Sequence, residues 1–229
     1  MVLDFEDIIK GMKIKSEIEK ADITQVKEYL SKKDKYMAKF LKIAPEFNLR
    51  INSLTSVYQS LIESIIAQQL SGKAASTIFM RLCSLYNSKQ IQPLDIIRSE
   101  DEELRSVGIS RPKIAAIRDL TEHEMSGKLP SLSKLHKMQN EEIIETLSQI
   151  KGIGRWTVEM LLIFRLGRID VISGKDLGLR KGFAVIKGCS PTLPSDQEML
   201  EHAEKYWKPY RSIASWYLWR ACEGGKDSC

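Results

Sequence analysis

The chain of 229 residues has no run of ~18 apolar residues, so no membrane-spanning helix is expected. Met1-Val2-Leu3-Asp4-Phe5-Glu6-Asp7 has no secretory pattern. An intracellular protein is expected, nuclear if the cell is eukaryotic. Cysteine is scarce. Cys83, Cys189, Cys222 and Cys229 are scattered, which excludes a dense disulfide framework and fits reduced thiols. Only two of them lie near the C-terminus, too few for a four-ligand iron–sulfur loop there. His123, His136 and His202 lack ligand-like spacing, so no side-chain metal site and no cofactor are expected. Strand-like alternation, tandem repeats and low-complexity tracts are also missing. Neither sign of charge dominates: 35 Lys and Arg face 30 Asp and Glu, a formal +5. That balance permits nucleic-acid binding without requiring it; the basic residues must share a face.

What is present is helical. Hydrophobic residues make up 43% of the chain, enough for a sizeable core. Residues 4–50 are charged with apolar residues at helical spacing. Apolar Leu61, Ile62, Ile65 and Ile66 predict a helix over 57–69, and Ser71 caps another through Leu85. One or two short helices follow between Asp95 and Leu104. Ser110 with Pro112 opens a helix that ends near Gly127. Asn140 is the expected cap of the next, and Gly154 to Leu166 forms its partner. A helix begins around Lys175, another follows Pro191, Pro194 and Ser195 to Trp207, and Tyr210 to Cys222 closes the fold. The fold class is all-α.

The segment Gly152-Ile153-Gly154-Arg155-Trp156-Thr157-Val158-Glu159-Met160 reads as a tight hairpin between two helices. Its glycines let backbone approach a large anion. The amides of Gly154, Arg155 and Trp156 would then face a phosphate at a helix N-terminus. Taken alone, the segment reads equally well as a simple helix–helix turn. Further on stands Lys175-Asp176-Leu177-Gly178-Leu179-Arg180-Lys181-Gly182. Together with Ile66-Ala67-Gln68-Gln69-Leu70-Ser71, Gly108-Ile109-Ser110-Arg111-Pro112-Lys113 and Pro209-Tyr210-Arg211-Ser212-Ile213-Ala214-Ser215-Trp216-Tyr217-Leu218-Trp219, these motifs resemble the helix-hairpin-helix DNA glycosylases, on their 3-methyladenine (alkylpurine) branch. The resemblance runs from about Lys20 to Ala221.

The resemblance implies two helical lobes with a DNA-binding cleft between them. Residues 56–165 would form a central lobe; 1–55 and 166–229 would complete the other. It places the catalytic carboxylate on Asp176. Breaking an N-glycosidic bond builds positive charge on the sugar, which a nearby carboxylate stabilises. Read without the motif, Asp176 is a carboxylate in a helix's first turn. Bifunctional members carry a Schiff-base lysine where this chain has Trp156, so lyase activity is not expected. That indole could stack on a purine or pack in the core. Gln69 stands where the family places the residue that enters the duplex, flanked by Gln68, Leu70 and Ser71. Ser110, Lys113, Gly152, Gly154, Arg155 and Thr157 would meet DNA, with Lys73 and Lys181 adding charge. Trp216, Tyr217 and Trp219 read mainly as packing. Similar hairpins hold a monovalent cation on main-chain carbonyls, here near Ser148, Ile150 and Ile153. The implied partner is duplex DNA with damaged bases or abasic sites, bound by a monomer.

One departure matters. Close relatives read Pro-Ala-Asp-Asp before the helix; here the loop is Ser173-Gly174-Lys175-Asp176. Loss of proline frees the loop, and an inward Lys175 would oppose a cationic transition state. Two functions stay open: a glycosylase that removes alkylated purines, and a non-enzymatic binder of abasic sites on the same scaffold.

Overall fold

The computed structural model describes residues 15–52, 54, 56–188 and 193–224. Among them there are fourteen helices and no strand. The chain divides into two compact units, Met1–Asn52 with Leu162–Cys229, and Ser53–Leu161.

The first unit opens with α1 (Glu17–Lys20), α2 (Ile23–Lys33) and α3 (Lys35–Leu41). Ser16 and Glu19 form a reciprocal capping box at α1, and Asp22 caps α2 through the amides of Thr24 and Gln25. Helix then stops, short of the pattern expected to residue 50. Pro45 lacks an N–H, and its ring disfavours helix in the residue before it. Residues 4–14 of that expectation lie outside the described residues, as do Pro191, Cys189 and Cys229. Cys83 and Cys222 are free thiols.

The same unit closes with α12 (Leu177–Ile186), α13 (Asp196–Tyr206) and α14 (Arg211–Gly224). Leu30, Met37, Phe183, Trp207 and Tyr217 are fully buried in its core. α12 and α14 cross with backbones nearly touching. A Cβ on Gly182 would lie 2.0 Å from the Leu218 carbonyl oxygen, so only glycine fits there. The buried Asp34 carboxylate joins both ends of the chain, accepting from His202 Nε2 and Trp207 Nε1, each at 2.7 Å.

The second unit holds α4 (Val57–Ala67), α5 (Gly72–Leu85), α6 (Pro93–Arg98), α7 (Asp101–Ser106), α8 (Arg111–Met125), α9 (Leu132–Lys137), α10 (Asn140–Leu147) and most of α11 (Arg155–Phe164). Apolar residues three and four apart bury one stripe of each helix: Leu61, Ile62, Ile65 on α4, Ile117 and Leu120 on α8, Ile143 and Leu147 on α10. Each such side chain contributes about 1.5–3 kcal/mol. Ser71 caps α5, accepting the Ala74 amide. Asn140 does not cap α10. Gln139 does, because the Glu142 carboxylate three residues on accepts the Gln139 amide and closes a capping box there.

Candidate functional site

In the second unit, α10 and α11 are joined by residues 148–154. Gly152 takes φ +76°, and a Cβ there would sit 2.9 Å from Ala116 Cβ. The turn therefore needs glycine both for its backbone conformation and for its closeness to α8. Gly154 is different: its φ is ordinary and nothing lies within 4 Å of where a Cβ would be. The Thr157 and Val158 amides both donate to Gly154 O, which starts α11. The amides of Gly154 and Arg155 consequently have no acceptor within the helix.

Side chains at the turn differ from expectation in two places, Thr157 and Arg155, and decide between two open readings at Trp156. Thr157 is buried and does not present its hydroxyl to a ligand. Arg155 is exposed, but its guanidinium is held by Glu159 Oε1 at 3.0 Å and by Glu141. These carboxylates compete with any phosphate for its charge. Trp156 is 45% exposed in the first turn of α11, which rules out the core position.

The hairpin carbonyls suit a monovalent cation in donor type. Ile150 O accepts the Ile153 amide at 3.0 Å and keeps a second lone pair. With the carbonyls of Ser148 and Ile153 it offers oxygen donors only, and a bound ion would stiffen the turn.

The other predicted contact region follows α4. Gln69 has φ +58°, a left-handed conformation uncommon for a residue with a side chain. Gln69, Leu70 and Ser71 are exposed. Lys113 does not reach outward as expected. Its Nζ donates to Ile66 O and Gln68 O, each at 2.8 Å, on the C-terminal carbonyls of α4. The negative end of the helix dipole favours a cation there. Burial lowers the Lys113 pKa. Gln68 also turns inward: its Nε2 donates to Gly152 O at 2.8 Å. Ser110 is exposed at the N-cap of α8 and makes no side-chain cap bond.

In the first unit, Asp176 is the N-cap of α12. Its Oδ1 accepts the Leu179 amide at 2.8 Å and the Trp219 indole N–H at 3.1 Å. Trp219 stacks on Phe164, ring centroids 5.4 Å apart. Gly178 lets the indole in, because a Cβ there would fall 3.0 Å from Trp219 Cδ1 and 3.1 Å from Asp176 Oδ1. Two N–H donors, one from the backbone and one from a stacked ring, thus orient this carboxylate. Trp219, which reads in the sequence mainly as packing, is here a partner of Asp176, and sequence reading does not foresee the role of Gly178 in admitting it. Ser173 and Gly174 ahead of it are buried, and the Ser173 hydroxyl has no hydrogen-bond partner. Lys175 is exposed, so water solvates its ammonium.

Residues 62–209 match the profile of the HhH-GPD superfamily base excision DNA repair protein family. The chain is 37% identical over 222 residues to DNA-3-methyladenine glycosylase 1 of Schizosaccharomyces pombe, covering 96% of this chain and 93% of that one. It is 33% identical over 202 residues to the alkylbase DNA glycosidase-like protein mag2 of the same yeast, covering 87% of this chain and 94% of that one. The solved structure of S. pombe 3-methyladenine DNA glycosylase in complex with abasic DNA superposes with a TM-score of 0.77 at 36% identity, covering 86% of this chain and 95% of that one. No helix among the described residues is long and apolar enough to cross a membrane.

Proposed function

The chain belongs to the HhH-GPD superfamily of base excision DNA repair proteins, and we propose that it is a monofunctional DNA glycosylase that hydrolyses the N-glycosidic bond of alkylated purines. The observation that carries this reading is the Asp176 carboxylate held by Leu179 N–H and Trp219 N–H. As the base leaves with the bonding electron pair, positive charge grows on the sugar. A fixed carboxylate stabilises that charge without reorganising and orients the water that adds to the anomeric carbon. Trp156 has no amine, so no Schiff base forms and the strand stays uncut.

The exposed residues of the other unit supply the grip. Amides at the start of α11 receive backbone phosphate, Gln69 with Leu70 and Ser71 enters the duplex, and Ser110 adds a second helix N-terminus. Trp156 offers an exposed indole face for stacking. The partner is duplex DNA with damaged bases or abasic sites, bound by a monomer inside the cell, in the nucleus if the cell is eukaryotic.

A second reading, abasic-site binding without excision, draws support from the loop before Asp176. Its buried Ser173 hydroxyl lacks a partner, and Lys175 adds a like charge to a cationic transition state. Exposure weakens the second point. In water a pair at ~4 Å interacts by about 1 kcal/mol, less than a tenfold rate effect.

The test is base release from methylated duplex by the intact chain and by Asp176→Asn, with binding to an abasic duplex measured beside it. Release that depends on Asp176 is expected; release unchanged in the variant removes Asp176 from the mechanism.

A further inference from the structure

Three residues on successive turns of one face of α8 each touch the elements that would meet DNA. Lys113 holds the α4 carbonyls of Ile66 and Gln68 at 2.8 Å. Ala116 lies against Gly152, leaving no room for a Cβ. Asp119 Oδ2 accepts the Lys151 amide of the hairpin at 2.8 Å. Spacings of three keep them on one helix face. The ring is closed by Gln68, whose Nε2 donates to Gly152 O at 2.8 Å. Between the two points held on Gln68 and the cap of α5 lies Gln69 with φ +58°. A residue with a side chain keeps that conformation only when its surroundings impose it.

We infer that Lys113 and Gln68 are positioning residues that keep the Gln69 turn in register with the hairpin, so that a phosphate seated on the hairpin sets how far Gln69 enters the duplex. The inference rests on the DNA-repair reading above. It assigns the Lys113 ammonium to the protein's own carbonyls instead of to a phosphate. A lysine that contacts phosphate strengthens binding to every duplex and steepens the salt dependence. A lysine that only sets the turn changes preference for a gap in the stack and leaves the salt dependence alone. The ring also transmits in one piece: α8 is the common support, so a shift of the hairpin moves the turn with it.

The experiment measures affinity of the full chain for two duplexes that differ only by one abasic analogue, between ~50 and 200 mM salt. Lys113→Met and Gln68→Ala should each lower the abasic-over-undamaged ratio by about tenfold, with the salt slope kept. Lys113→Arg should restore most of the ratio, since a guanidinium can serve both carbonyls. The double variant should lose little more than the worse single one, because both act on the same turn. If Lys113→Met fails to fold, Gln68→Ala carries the same test from a partly exposed site. A slope shallower by ~0.9, with both duplexes weakened equally, would make Lys113 a phosphate contact and overturn the inference. An unchanged ratio in the variants overturns it too, and leaves the DNA-repair reading standing. No preference in the unmodified protein overturns the inference alone, since the DNA-repair reading is tested by base release.

Discussion

Around Gly152 three polar groups of the bend meet partners, Lys151 N–H on Asp119, Gly152 O on Gln68 and Ile153 N–H on Ile150 O, while the buried Ser148 hydroxyl at the start of the turn has none. The loop before Asp176 is built otherwise. It buries the Ser173 hydroxyl with no partner and packs Gly174 where a Cβ would lie 2.8 Å from the Leu200 side chain. A buried hydroxyl left unsatisfied costs about 1–3 kcal/mol. Each segment thus leaves one buried hydroxyl unsatisfied, and the difference lies in what holds the rest: hydrogen bonds to neighbouring elements at the turn, close glycine packing at the loop. The loop ends on Asp176, whose Oδ1 takes two N–H donors. Those two donors fix the orientation of the carboxylate. A carboxylate held in this way suits a site where charge placement decides the rate.

The sharpest way to break the contrast is to remove the charge and keep the shape. Asp176→Asn should lower excision by at least ~100-fold in single-turnover assays. Folding and abasic-duplex affinity should hold, because Asn caps a helix as well as Asp does. Asp176→Ala should in addition lose about 1 kcal/mol of stability with the cap.

Next in size is the hairpin. Gly152→Ala meets a positive φ and Ala116 at 2.9 Å, and should cost about 2–4 kcal/mol, read as a shift of the urea midpoint. Gly154→Ala has open space and an ordinary φ. It should leave stability nearly unchanged while weakening DNA affinity, since its methyl would sit on the side proposed to receive phosphate. Equal stability losses in the two variants would dissolve the distinction between them.

Smaller effects are expected from the loop. Lys175→Ala should raise excision by less than about tenfold, with binding changed little, because its exposed ammonium is screened. A rise of ~100-fold would show that the lysine turns inward during the reaction. Ser173→Ala should be the mildest, stabilising the protein by up to ~1 kcal/mol in thermal or urea unfolding as the orphaned hydroxyl goes. Destabilisation would reveal a partner for that oxygen.

Local chemistry was legible from the chain itself. Ser71 and Ser195 cap the helices they precede, Pro112 stands in the first turn of α8, and the glycine turn lies where two helical patterns meet. The motif order led to the right family. What the sequence hid depends on which side chains meet across the fold. Trp219 reaches Asp176 over 43 residues. Lys113 reads as a phosphate ligand beside Ser110, yet α8 points it at the end of α4. Arg155 reads as free charge until Glu141 and Glu159 are seen to hold it. Thr157 lies on the buried side of α11, and Gln139 caps α10 in place of Asn140 because its partner Glu142 lies three residues on. The Trp219, Lys113 and Glu141 contacts are tertiary and leave no spacing signature, whereas the Gln139–Glu142 box and the Arg155–Glu159 pair follow helical spacings that other residues of the segment also offered.

The most direct measurement is single-turnover release of 3-methyladenine from a methylated duplex by the unmodified chain, with borohydride present in a parallel reaction. The account predicts free base and an uncut abasic strand, with no covalent adduct. Tight abasic-duplex binding with no base released would contradict it and leave a scaffold that recognises damage without excising it.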